Sequence, residues 1–125
     1  MKKVDIEAFG IGQQIWFNIG RLQKLETILG KPLGAILQEC QNLSISNTVA
    51  MLQAGMSQNG NKSEQYYMQK IDEAMENGYT LNDIQMYIVK AIAGSGVMGE
   101  EFYYLHFPDE LTEEKKQELA ARKNK

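Results

Sequence analysis

One cysteine, one histidine, one tryptophan and two prolines are all that 125 residues contain of these types. A lone cysteine closes no disulfide within the chain. With a single histidine beside it, it cannot supply the ligand set of the usual zinc sites. No apolar run approaches the roughly 20 residues that a membrane helix needs. Thirteen lysines and arginines against sixteen aspartates and glutamates leave a net charge of −3. That balance is wrong for a protein that lives on phosphate contacts, so no nucleic-acid partner is expected. The charged start, residues 1–7, lacks the apolar core of a signal peptide, and a solitary Cys40 suits a reducing compartment, so the expected location is cytoplasmic. Few side chains remain for catalysis, which turns the search away from enzymes.

What is present fits one globular domain. Hydrophobic residues make up 43% and charged residues 23%, near the globular average, and the length suits one core rather than two. Val4, Ile6 and Ala8 alternate with Asp5 and Glu7. Ile15, Phe17 and Ile19 repeat that period of two beyond Phe9-Gly10-Ile11-Gly12, which predicts a β-hairpin at about 3–19. From about residue 20 onward the period changes to that of helices. Leu22, Leu25, Ile28 and Leu29 form one stripe, closed by Gly30. Leu33, Ile36, Leu37 and Cys40 form a second after Pro32, and Ile45, Val49, Leu52 and Met56 a third behind Ser44 or Ser46. Tyr67, Ile71, Ala74 and Met75 follow Ser63. Leu81, Ile84, Ile88, Ala91 and Ile92 follow Thr80, with Asp83 at capping-box spacing. The expected fold is mainly α, a compact multi-helix domain over residues 1–108 with a short N-terminal β-hairpin. Residues 109–125 read as a charged C-terminal helix or tail. Its five acids come before most of its five bases, so it is neutral and the net charge of −3 belongs to residues 1–108.

Candidate chemistry is sparse. Gly94-Ser95-Gly96-Val97-Met98-Gly99 matches G-x-G-x-x-G, but a dinucleotide site needs a strand before it and a second parallel strand after it. The preceding residues carry a 3.6 period instead, and the glycines read as a helix end and a tight corner. A P-loop is excluded because Glu100 and Glu101 stand where Lys and Ser or Thr are required. His106 has no nucleophile nearby in sequence, and Cys40 lies on an apolar face without cations. The acids Asp72, Glu73, Glu76, Glu100 and Glu101 read as wet helix faces. No catalytic residue, metal ligand or cofactor is assigned.

Two features point to binding. Six methionines lie inside the chain, several beside an apolar stripe rather than on it. Flexible, polarizable Met either fills an irregular core or lines a surface that must grip varied helices. The aromatic run over residues 102–107 is too dense for one helix face. It either packs on the hairpin or forms a partner interface. Candidate partner-binding residues are therefore Met51, Met56, Met86, Met98, Phe102, Tyr103, Tyr104 and Phe107.

Gln14-Ile15-Trp16-Phe17-Asn18-Ile19 is followed by Leu25-Glu26-Thr27-Ile28-Leu29-Gly30-Lys31-Pro32-Leu33. Met51-Leu52-Gln53-Ala54-Gly55-Met56 comes next, and a helical segment ending in Gly-Ser-Gly comes last. This order of features, over roughly residues 1–100, resembles the small tail assembly chaperones of long-tailed bacteriophages and prophages of Gram-positive bacteria. The resemblance implies a non-enzymatic, mostly helical protein that holds the tape-measure protein before the tail tube polymerises. It also implies self-association, contact with the tail tube protein as a second partner, and absence from the mature virion. The family has no catalytic motif to carry over. Two alternatives stay open: a small helical adaptor or regulator of another phage or host protein, and a small enzyme built on the loop at residues 94–99.

Overall fold

The computed structural model describes residues 1–123; Asn124 and Lys125, the end of the charged segment, lie outside the described residues. Among the described residues there are one two-stranded antiparallel sheet and seven α-helices. The strands are β1 (Val4–Asp5) and β2 (Gln14–Ile15). The helices are α1 (Ile19–Leu29), α2 (Leu33–Gln38), α3 (Ile45–Gly55), α4 (Glu64–Glu76), α5 (Leu81–Gly94), α6 (Glu100–His106) and α7 (Glu113–Lys123).

The hairpin is real but shorter than the alternation predicts. Val4 faces Ile15 and Asp5 faces Gln14, and Val4, Ile6, Ile15 and Phe17 all point into the core. Glu7–Phe9 turns as a 3-10 helix, and Ile11 protrudes fully into solvent at the tip between Gly10 and Gly12. Ile19 is not the last inward residue of a strand. It is the first residue of α1 and is exposed, because the Asn18 side chain accepts from the Arg21 N–H and caps the helix there.

Helix ends follow local chemistry. Ser44 caps α3, Ser63 caps α4, and Thr80 with Asp83 makes a reciprocal capping box at α5. Gly30 ends α1 in the left-handed conformation, φ 68°, where a Cβ would be strained. Pro32 stands just before α2, and the Glu26 carboxylate accepts from the Leu33 N–H at 2.7 Å.

α3 is the axis of the molecule. All its residues from Asn47 to Gly55 are buried except Gln53, and α1, α4 and α5 pack around it. Its two buried polar side chains are hydrogen-bonded, Asn47 donating to Glu39 and Thr48 to the Ser44 carbonyl. Three stripe positions are corrected: Ile28 on α1, Ile45 in the first turn of α3 and Met75 on α4 are exposed. On α5 the expected stripe holds, with Ile84, Ile88, Ala91 and Ile92 buried.

Gly55 is where the hairpin seats. A Cβ there would lie 2.6 Å from Ile15 Cγ1 and 2.9 Å from Phe17 Cζ. Its carbonyl accepts from the Trp16 N–H at 3.1 Å and from Arg21 Nη1 at 2.7 Å. The same guanidinium bonds Gln58 Oε1 at 2.9 Å and stacks 3.8 Å from the Trp16 ring centroid, and partial burial lowers its pKa. Gly55→Ala is therefore expected to cost about 1–3 kcal/mol, as an overpacked core does. Gly34, in the first turn of α2 with open space around it, is the control: Gly34→Ala should gain up to about 1 kcal/mol. Urea unfolding of both variants checks the pair. The Tyr67 hydroxyl is buried and finds no hydrogen-bond partner among the described residues, and burial, with Tyr66 second, pushes its pKa up to about 12. Tyr67→Phe should thus leave stability unchanged or raise it, since it removes a desolvated hydroxyl at nearly constant shape; a lower unfolding midpoint would contradict this.

Candidate functional site

The eight candidate binding residues separate by depth. Met51 and Met56 are fully buried on and just beyond α3, so a partner cannot touch them in this fold. They are corrected to core residues, where α1, α4 and α5 pack on α3. Phe107 is also a core residue, 8% exposed. Met98, Phe102 and Tyr103 are half-buried and pack against that core from the corner and α6. Tyr104 is half-buried, and Met86 is 50% exposed on α5. The methionines therefore divide, with Met51 and Met56 inside and Met68, Met75 and Met86 out in solvent.

The glycine-rich corner behaves as a corner. Ile88 to Ala93, which a nucleotide site would need as a strand, lie within α5. Gly96 and Gly99 have φ of 83° and 91°, and Ser95 Oγ donates to the Ile92 carbonyl while accepting from the Val97 N–H. The turn sends α6 back across the end of α5. A Cβ on Gly94 would meet Lys2 Cβ at 2.8 Å and Phe107 Cε2 at 3.4 Å, and the Gly94 carbonyl accepts from the Lys2 N–H. Part of the aromatic run thus packs back on the fold, beside the first residues of the hairpin.

Two surface depressions bring candidates together. The larger, about 560 Å³, runs between β1, the outer side of α5 and the end of α6. Met86 and Tyr87 of α5 and Phe107 supply its apolar lining. Glu7 and Asp83 lie toward one end, and Lys90 and His106 toward the other. Burial, then Glu7, Tyr79 and Asp83, push the Tyr87 hydroxyl up; burial, then Lys90, push His106 down. His106 stacks on Phe102 with centroids 4.8 Å apart, so its ring is part of the packing. The second depression, about 440 Å³, lies between α6 and α7 and is lined by Tyr104, Leu105, Leu111 and Leu119. Cys40 borders a smaller cleft on the other side of Met86, and burial raises its thiol pKa, which makes it a poor nucleophile. Among the described residues no group of three or more His, Cys, Asp or Glu is placed to hold a metal ion, and no helix is long and apolar enough to cross a membrane.

Sequence reasoning missed Tyr87, Lys90, Leu105, Leu111 and Leu119. The signal for the first two was present: Asp83, Met86, Tyr87 and Lys90 fall at i, i+3, i+4 and i+7. The stronger buried stripe on the same helix masked it. Compared with known proteins, the chain matches no family model, no curated protein and no solved structure.

The charged C-terminal segment is held by exposed pairs. Lys115 Nζ and Arg122 Nη1 reach the two Glu100 carboxylate oxygens at 3.1 and 2.5 Å. Glu110 accepts from Lys2 Nζ at 2.5 Å and from the Tyr103 hydroxyl, which the carboxylate pushes up to about 12. Exposed ion pairs contribute little. Deleting residues 109–125 is accordingly expected to leave the urea midpoint almost unchanged, and a large drop would mean that α7 is an integral packing element.

Proposed function

We propose that this chain is a phage tail assembly chaperone, a non-enzymatic protein that binds the tape-measure protein and keeps it soluble in the bacterial host cytoplasm during tail morphogenesis. The observation that carries the reading is the open groove beside α5, lined by Met86, Tyr87 and Phe107 together with charges of both signs. A tape-measure protein is a long amphipathic chain that aggregates when left alone. Holding it requires an adaptable apolar surface with polar edges and no reactive group. The sequence resemblance over residues 14–19, 25–33 and 51–56 supports the same reading. Many copies would be needed to cover so long a partner, so self-association belongs to the proposal, as does the tail tube protein as a further contact.

Co-expression with a tape-measure fragment tests it. The fragment should stay in the soluble fraction when this chain is present and precipitate when it is absent. Equal precipitation in both cases would remove the proposal.

A further inference from the structure

α5 has two stripes. Its buried stripe holds it to α3. Its outer stripe is Asp83, Met86, Tyr87 and Lys90, which faces the groove between β1 and the end of α6. Asp83 and Lys90 stand two turns apart, about 10 Å along the axis at roughly 1.5 Å per residue. Between them lie a half-exposed methionine and a tyrosine. Lys90 Nζ sits 5.2 Å from the Phe107 ring centroid, which places its charge at the α6 end of the groove. One Asp83 carboxylate oxygen is used to cap α5 by accepting from the Thr80 N–H.

The spacing selects the occupant. An extended segment covers about 10 Å in three residues, and residues i and i+3 of a strand point to opposite sides. Such a segment cannot meet both charges with one face. A helix can, because i and i+7 share a stripe, with i+3 and i+4 between them. Charge order then fixes direction. An acid belongs opposite Lys90 and a base opposite Asp83, and a helix favours acids near its N-terminus and bases near its C-terminus. The guest therefore runs antiparallel to α5. A second copy's α5 carries the same order of charges, and sedimentation distinguishes that occupant from a partner's helix.

We propose that this groove is a docking site for a partner's amphipathic helix of the form Glu-x-x-Leu-Leu-x-x-Lys, seated antiparallel on Asp83, Met86, Tyr87 and Lys90. This deepens the chaperone reading and rests on it only for the identity of the partner.

A short fluorescein-labelled helical peptide of that pattern is the probe, with binding followed by fluorescence anisotropy. The wild-type chain should bind it. Lys90→Glu should weaken binding about tenfold, as loss of a facing charge pair does, and a peptide with its Glu changed to Lys should recover binding to that variant. Met86→Asp should also lose binding while keeping the helical circular dichroism, since Met86 is half in solvent. The proposal is overturned if wild type does not bind, or if neither substitution changes binding. It is equally overturned if the chain sediments as a dimer that Lys90→Glu dissociates, because the occupant is then a second copy. Failure of the peptide while the tape-measure fragment stays soluble would refute the groove and leave the chaperone reading standing. Charge-swapped peptide binding with a fragment that still precipitates would do the reverse.

Discussion

The backbone carbonyl of Gly55 accepts two hydrogen bonds, from Trp16 and from Arg21, and it does so at the end of the helix that forms the centre of the core. Much of the arrangement follows from that point. The bond to Trp16 fixes how far the hairpin slides along α3, and with it the inward pointing of Ile15 and Phe17. The bond to Arg21 sets the first turn of α1 against the same place, and its guanidinium covers Trp16 on the outside. A side chain at position 55 would push Ile15 and Phe17 outward and draw the Trp16 donor away from the Gly55 carbonyl. Two strands of two residues each could not hold together alone. They persist because a helix end is built to receive them.

After this packing the chain's few reactive side chains have structural settings. Its one histidine is stacked on Phe102, and its one cysteine is half-buried with a raised pKa. Groups that could do acid–base work are instead tied into caps and exposed pairs, such as Asp83 with Thr80 and Glu100 with Lys115. What stays open is the groove beside α5, where Val4, Met86, Tyr87 and Phe107 lie among charged side chains.

Much of this was legible from local chemistry. Ser44, Ser63, Thr80 with Asp83, and Gly30 mark their helix ends because capping is decided by residues three apart, which a sequence displays directly. Ile19, Ile45 and Met75 misled because a hydrophobic residue beside a stripe looks the same whether the helix covers it or leaves it out. Arg21 was invisible for a different reason: its partners are Trp16, Gly55 and Gln58, and only the folded chain brings those together. The binding residues divide on the same ground. Met51 and Met56 could not be told from Met86 by residue type, since flexible methionine serves a core and a surface equally well. What separates them is depth: Met51 and Met56 are buried against the helices around α3, whereas Met86 stands half in solvent on α5.

The Lys2 N–H bonds the Gly94 carbonyl, and the Lys2 ammonium lies 5.7 Å from the Phe107 ring centroid and pairs with Glu110. Lys2 is thus held by partners far along the chain, one of them 108 positions away. The seat of the hairpin on Gly55 closes a shorter loop than the wall of the groove that Lys2 and Phe107 share. A contact of such high sequence separation makes completion of this wall a late folding event. The part of the groove lining that Phe107 supplies is therefore completed only when two distant parts of the chain meet.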